Sequence, residues 1–103
     1  LKTKEILDNI PSDFVLSQNY PNPFNPITKM DYELPERSMV SISIYNVLGQ
    51  EIINLVNEVK DYGHHTIKWD GKDNTGKEMA SGVYFTRMVS SRFSQTKKML
   101  LIK

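Results

Sequence analysis

Short runs in which apolar and polar residues alternate are the feature that most limits what this chain can fold into. Between Thr28 and Leu34 an apolar residue occupies every second position from Met30 onward, and Pro35 ends the run. A period of two places alternate side chains on opposite faces of an extended chain, so the run predicts a strand with one buried face. The pattern therefore favours a β-sheet protein over a helical one.

The same reasoning predicts strands along most of the remaining chain. Val40, Ile42 and Ile44 alternate with polar residues and predict a second strand. Residues 51–56 fit a helical face as well as a strand, and their hairpin-like neighbours favour the strand. Further strands are expected near residues 65–69, 83–89 and 93–102, with turns or loops between the strands at residues 46–50, 61–63, 70–76 and 90–91.

About seven short strands without a convincing long helix predict an all-β, immunoglobulin-like β-sandwich of antiparallel strands. The Cys…Trp…Cys signature of antibody domains is missing, because the chain has no cysteine. Gly71 and Gly82 are expected at turn or strand-entry positions that tolerate a side chain poorly. The predicted core includes Trp69, Ile42, Ile44 and Phe85.

Composition excludes several classes of protein. At 103 residues, with 39% hydrophobic and 24% charged residues, the chain has room for one ordinary globular domain. Thirteen basic against twelve acidic residues give a net charge of +1, which disfavours nucleic acid as a partner. No apolar run approaches the roughly 20 residues of a membrane helix. Without cysteine, neither disulfides nor thiolate metal sites are available.

The first part of the chain differs from the rest. Residues 1–13 show a weak helical spacing that Pro11 stops, and we interpret them as a linker or the tail of a preceding domain. The folded domain is then expected at residues 14–103. Because the chain opens on Leu1 without a signal segment, we expect it to be a piece of a longer protein. Three prolines within residues 20–26 predict a rigid, extended loop.

Two adjacent histidines, His64 and His65, are the first candidates for a metal site or a catalytic base. Neighbours on a strand point to opposite faces and do not readily bind one ion, so we expect one packed and one solvated histidine. Serine, histidine and aspartate all occur, but no serine stands in a G-x-S-x-G motif. The sequence therefore predicts no catalytic, cofactor-binding or metal-binding residues.

Asp70, Asp73 and Asn74 bring oxygen atoms together in a way that a calcium ion could use. The loop is shorter than the EF-hand spacing, and Lys72 lies inside it. Asx residues beside glycine are also what a tight loop needs in order to hydrogen-bond its own backbone. We therefore favour a structural turn over a calcium site.

Four aromatic residues would form a sugar-stacking platform if they shared one exposed face: Trp69, Tyr84, Phe85 and Tyr45. Trp69 has the same parity as Ile67, so we expect it in the core instead. Four basic residues form a modest patch: Lys97, Lys98, Arg87 and Arg92. Lysine near a sheet edge more often prevents edge-to-edge pairing than binds a ligand, which leaves a weak acidic-partner hypothesis.

Five motifs stand in a fixed order along the chain. They are Leu-Ser-Gln-Asn-Tyr-Pro-Asn-Pro-Phe-Asn-Pro at 16–26, Ile-Tyr-Asn-Val-Leu-Gly-Gln-Glu at 44–51, Trp-Asp-Gly-Lys-Asp at 69–73, Ala-Ser-Gly-Val-Tyr-Phe at 80–85 and Gln-Thr-Lys-Lys-Met with the residues that follow it at 95–103. Together they resemble the type A C-terminal sorting domains of the type IX (Por) secretion system, over about residues 14–103. Residues 69–84 also resemble the immunoglobulin-like domain of the flagellar hook-capping protein. One departure is Met-Ala-Ser at 79–81, where a proline often stands.

The resemblance implies a non-catalytic module at the C-terminus of a secreted cargo protein, directing it through the type IX system to the cell surface or medium. It also implies recognition by outer-membrane secretion and processing machinery, and a larger cargo upstream in the same chain. It implies no cofactor. The sorting-signal candidates are Gly82, Val83, Tyr84, Lys97, Lys98 and Lys103. We expect a monomer whose exposed terminal strand serves as a handle for β-augmentation.

Two other classes of function remain open at this point. A carbohydrate-binding module of an extracellular enzyme would need a flat, exposed aromatic strip. A structural immunoglobulin-like accessory module would have no effect on export. The fold alone does not choose between these functions.

Overall fold

The computed structural model describes residues 10–103, and within them seven strands form two antiparallel sheets. No helix occurs in this range, and so none is present there that could cross a membrane. The predicted all-β sandwich is therefore confirmed. The strands are β1 (Val15–Leu16), β2 (Thr28–Leu34), β3 (Ser38–Tyr45), β4 (Glu51–Lys60), β5 (Gly63–Trp69), β6 (Gly82–Ser90) and β7 (Phe93–Leu101).

The smaller sheet has the order β1-β2-β5. In β2 the alternation predicted from the sequence is observed: Met30, Tyr32 and Leu34 are buried, while Lys29 and Asp31 are exposed. Each inward residue of β2 lies opposite an inward residue of β5, so that Met30 faces Ile67 and Thr28 faces Trp69 on the core side of the sheet.

The larger sheet has the order β4-β3-β6-β7, with β3 at its centre. Val40, Ile42 and Ile44 on β3 are completely buried, as predicted for the two isoleucines. The register between β3 and the edge strand β4 shifts after Ile42 and again after Ile44. Such irregularities increase the local twist and make an edge strand a poorer template for pairing with another chain.

Aromatic side chains join the two sheets. Trp69, at the end of β5, is 1% exposed and lies edge-on to Tyr84 of β6, with ring centroids 5.3 Å apart. Phe24, from the loop before β2, packs on the same indole at 5.6 Å. Tilted and edge-on aromatic pairs at these separations contribute about 0.5–1.5 kcal/mol beyond area burial. The predicted core position of Trp69 is confirmed.

Phe85 is wrongly predicted as a core residue. It faces outward from β6, between Tyr45 of β3 and Lys98 of β7, whereas its neighbour Tyr84 is buried. The sequence offers large apolar side chains at both parities here, so the alternation does not decide which set faces inward. Tyr84 can be the inward one because its hydroxyl donates a 2.7 Å hydrogen bond to the Ala80 carbonyl.

The fourth strand is longer than the sequence indicates. The predicted strand at residues 51–56 is present, but β4 continues to Lys60, and β5 begins as early as Gly63. Pairing of residues 57–60 with the first half of β3 accounts for the extension, which the local pattern of mainly polar residues does not reveal.

Candidate functional site

The C-terminal strand β7 lies at the end of the larger sheet, so one of its sides has no strand partner in that sheet. Residues 18–24, which we call the strap, cover much of that side. The Gln18 side-chain amide donates to the Lys98 carbonyl at 2.7 Å, and Asn22 Oδ1 accepts from the Leu100 amide at 3.1 Å. Phe24 adds two backbone bonds, donating to the Leu100 carbonyl at 3.0 Å and accepting from the Ile102 amide at 2.9 Å.

A small cluster of buried polar side chains holds the strap in place. Asn19 and Thr28 are both buried, and their side chains each donate to the Pro21 carbonyl, at 3.0 and 2.9 Å. Tyr20 and Lys29 exchange two backbone hydrogen bonds. Buried polar groups that are fully paired hold a segment in one conformation. The loop predicted at residues 20–26 is present, but it bends at residues 21–23 and 25–26 and is not extended as predicted. Its role as a cover for the last strand is not visible in the local sequence.

The strap corrects the expected mode of recognition. The terminal strand was expected to offer an open edge for β-augmentation, but its outward backbone groups at Lys98, Leu100 and Ile102 are already hydrogen-bonded to the strap. A partner strand would have to displace Phe24 from the core, where it is 1% exposed. Along residues 98–102 the folded module therefore presents side chains to a partner, and not free backbone groups.

The three candidate lysines do not gather on one face. Lys98 is exposed on the outer face of the larger sheet, opposite Phe85. Lys97 is on the inner side, opposite the buried Thr86, and is half-buried itself. The Lys103 ammonium lies 3.7 Å from Glu78. Neighbours on a strand point to opposite faces, so the Lys-Lys pair cannot form one patch.

The other three candidates, Gly82, Val83 and Tyr84, form the start of β6 opposite the end of β7. Gly82 has φ +154° and pairs with Leu101. Burial raises the pKa of the Tyr84 phenol. Their contacts assign them to holding the end of the terminal strand in place.

The two histidines have separate surroundings. His64 is largely exposed and its Nδ1 lies 3.0 Å from Glu33 Oε1. His65 stacks on Tyr32, with ring centroids 5.0 Å apart, and its Nε2 is 2.9 Å from the Asp61 carbonyl. One packed and one solvated ring agree with the prediction, and within residues 10–103 no cluster of three metal-ligating side chains occurs.

The loop after Trp69 uses its carboxylates for its own backbone. Asp73 Oδ1 accepts from the Thr75 hydroxyl at 2.7 Å, the Thr75 amide at 2.9 Å and the Lys77 amide at 3.0 Å. These bonds, first that from the Thr75 hydroxyl, lower the pKa of the Asp73 carboxyl. Asp70 accepts from the Lys72 amide in the same way. The geometry is that of Asx turns, which favours the structural interpretation of this loop.

The four aromatic residues of the hypothetical sugar platform divide into two pairs. Trp69 and Tyr84 are in the core. Tyr45 and Phe85 are cross-strand neighbours on the outer face, where they line an open groove of about 320 Å³ together with Val47 and Arg87. The four-residue platform is therefore not formed.

The fold and these contacts define a β-sandwich module whose last strand is hydrogen-bonded to its N-terminal segment. Residues 18–103 match the family described as secretion system C-terminal sorting domains, and the chain belongs to this family. The family is generally non-catalytic. A C-terminal sorting domain implies a cargo protein attached upstream, which the secretion machinery processes. A type IX sorting domain of this kind directs export across the outer membrane to the cell surface or medium.

Solved structures agree with the fold. The chain is similar to part of PorZ, an essential surface component of the type IX secretion system of Porphyromonas gingivalis, with a TM-score of 0.58, 20% identity and 87% of this chain covered. It is also similar to part of latent PorU of the same organism, with a TM-score of 0.70, 21% identity and 89% covered. The match spans 11% of the PorZ chain and 10% of the PorU chain, about a tenth of each.

A third similar structure is FlgD of P. aeruginosa, with a TM-score of 0.57 and 25% identity over 72% of this chain and 57% of that one. A search of curated proteins found no match. The immunoglobulin-like sandwich expected from the sequence is confirmed by these neighbours.

Proposed function

We propose that residues 14–103 act as a self-contained export address, which the outer-membrane machinery of the type IX system reads as a folded surface. The observation that carries this proposal is the strap. Because Gln18, Asn22 and Phe24 bind the backbone of the terminal strand, the C-terminal residues are held at fixed positions on a folded unit. A machinery that accepts folded cargo can use such a surface, whereas an unfolded peptide signal would not need it.

In this proposal the six candidate residues have two different roles. Lys98 and Lys103 are exposed and contact the machinery. Half-buried Lys97 contacts it from the inner side of β7. The run of Gly82, Val83 and Tyr84 positions the end of β7 through the cross-strand pairs it makes. Residues 1–13 connect the module to its cargo, and the module works as a monomer with no catalytic residue of its own.

Export of a reporter tests the proposal. A folded reporter with its own signal peptide is fused to the 103-residue chain in a bacterium that has type IX machinery, and reporter in the medium, on the surface and in the periplasm is measured. We expect the intact fusion outside the cell. Lys98→Ala with Lys103→Ala should retain it in the periplasm, while the matched loop pair Lys72→Ala with Lys77→Ala should not.

The outcomes separate the parts of the proposal. An intact fusion that folds but stays in the periplasm contradicts the export function. Equal export of the intact and Lys98/Lys103 fusions contradicts the role of the lysines and leaves the address elsewhere on the surface. Circular dichroism of each purified module checks that the variants fold.

A further inference from the structure

The outer face of the smaller sheet carries an unusual row of residues at one end. Tyr20, Lys29 and Lys68 are cross-strand neighbours in that order, through the bridge between Tyr20 and Lys29 and the pair of Lys29 with Lys68. All three are exposed, and Tyr20 is 72% exposed. Like charges directly opposite each other on a sheet are destabilising, so this pair of lysines lowers stability.

The nearby carboxylates form no ion pair with the two lysines. Asp31 accepts a 2.6 Å hydrogen bond from the Thr66 hydroxyl, and Glu33 pairs with His64. The ion pairs found among residues 10–103 involve neither Lys29 nor Lys68. Among residues 10–103, both lysines at this end of the face therefore present an ammonium group without an ion-pair partner.

An apolar groove is lined in part by the side chains of the two lysines. Tyr20, Pro21 and Ile27 line it together with both lysines and Thr28, and its volume is about 210 Å³. Ile27 is 54% exposed although it is a large apolar residue. The floor is rigid, because buried Thr28 and Asn19 bind the Pro21 carbonyl. We call this surface the Tyr20 groove.

We infer that the Tyr20 groove binds a short acidic segment of a partner protein, with an apolar side chain against Tyr20 and Ile27 and carboxylates beside Lys29 and Lys68. This inference rests on the proposed function, in which the partner is a component of the secretion machinery. The groove is smaller than the roughly 300 Å³ at which small-molecule sites begin. One side chain of a polypeptide fits such an open groove better than a whole small ligand, and lysines act as point charges for its carboxylates.

A titration of the 103-residue chain tests the binding. The probe is a five-residue peptide of alternating glutamate and apolar residues, leucine and phenylalanine, and the control peptide has glutamine in place of glutamate. We expect saturable shifts of the Tyr20, Ile27, Lys29 and Lys68 resonances at about 1 mM peptide. Binding should weaken about tenfold with the glutamine peptide or with Lys29→Gln plus Lys68→Gln. Lys72→Gln plus Lys77→Gln is the matched control and should bind normally.

Three results would overturn the inference. One is the absence of saturable shifts at these residues, and another is equal binding of the two peptides, since then charge is not used. The third is tighter binding of an anionic sugar, tested with glucose 6-phosphate, which would assign the groove to a saccharide. Unchanged amide spectra outside the groove verify that the variants keep the fold.

The export fusion then tests the identity of the partner. With the intact fusion exported, Lys29→Gln plus Lys68→Gln should reduce export about tenfold, whereas the Lys72/Lys77 pair should not. Normal export of the Lys29/Lys68 variant would overturn the assignment of the groove to the machinery. Failure of the intact fusion itself would contradict the proposed function, while the titration still decides whether the groove binds acidic segments.

Discussion

Trp69 connects the core to the loop that follows it. Its ring packs on Tyr84 and Phe24, and its Nε1 donates a 2.9 Å hydrogen bond to the Lys72 carbonyl. Both the apolar ring and its polar edge are therefore used, as a buried indole requires. A sugar-stacking role for this side chain is incompatible with an exposure of 1%.

Replacing Trp69 by alanine is expected to lower the free energy of unfolding by about 3–5 kcal/mol, because a large buried side chain leaves a cavity. Urea denaturation followed by far-ultraviolet dichroism measures the change. Phe85→Ala is the control, since its ring is partly exposed on the outer face and its loss should cost less. A Trp69→Ala cost below about 1 kcal/mol would mean that the indole is not packed as described.

Gly71 offers a test of a close approach. Its φ is +76°, and an added Cβ would lie 3.1 Å from the Pro26 carbonyl oxygen, at the end of the Pro-rich loop. Gly76 in the same loop has φ +86° but nothing within 4 Å of an added Cβ. Both alanine variants bear the left-handed penalty of about 1–2 kcal/mol, and Gly71→Ala should lose more. Thermal melts of the two variants measure this difference. Equal melting temperatures would contradict the close contact between Gly71 and the Pro26 carbonyl.

At the scale of elements, the strap and β7 behave as one unit although 78 to 80 residues separate the partners in its side-chain hydrogen bonds. The strap supplies backbone bonds at Phe24 and side-chain bonds at Gln18 and Asn22. It therefore gives the last strand a partner on its outer side without adding a full strand to the sheet. This explains why a loop rich in proline, which cannot donate its own amides, alternates with residues that can bind.

Removing the anchor of the strap should open the edge of β7. Phe24→Ala is expected to cost about 3–5 kcal/mol of stability and to speed amide exchange at Leu100 and Ile102, because the ring that seats the strap is lost. Asn22→Ala, which removes one exposed hydrogen bond, should cost about 1 kcal/mol and affect mainly Leu100. Hydrogen exchange followed by NMR measures both variants.

The control for the strap is Ile27→Ala, an exposed position just beyond it, which should leave exchange at Leu100 unchanged. An opened edge also predicts concentration-dependent association of the Phe24 variant in gel filtration. If Phe24→Ala left exchange at Ile102 as slow as in the unchanged chain, the strap would not be what protects this strand.

The sequence predicts strands and their inward faces where apolar and polar residues alternate strictly. It does not predict the inward face where large apolar residues occupy both faces. The bounds of β2 follow directly from its pattern, because polar residues fill every outward position up to Leu34. At Val83, Tyr84 and Phe85 both parities are apolar, and tertiary packing decides in favour of Tyr84. The strap contacts and the Tyr20 groove bring together segments that are distant in sequence. The spacing of apolar residues within one segment does not predict such long-range contacts.

At the scale of the whole molecule, the chain enters the folded module beside the start of β7 and leaves it at the end of β7. Phe14 stacks on Phe93 at the start of β7 with ring centroids 5.6 Å apart, and the Leu16 amide donates a 3.3 Å hydrogen bond to the side-chain oxygen Oε1 of Gln95. The chain then reaches Leu101 at the other end, roughly 25 Å away at about 3.3 Å per residue. The segment that enters the module therefore lies at the opposite end of the sandwich from the C-terminal lysine, so an upstream domain need not cover that lysine.

The boundary that we predict at residue 14 is a proposal that the same contacts support and that can be measured. Deleting residues 1–13 should change the free energy of unfolding by less than about 0.5 kcal/mol, because among residues 10–103 the core and the side chains packed against it begin at Phe14. Deleting residues 1–16 removes the Phe14–Phe93 stack and the buried Leu16, and should cost about 3 kcal/mol or more. Urea unfolding of the three chains gives both differences. A loss above about 2 kcal/mol in the shorter deletion would place the boundary upstream of residue 14, whereas equal stability of all three would remove β1 from the domain.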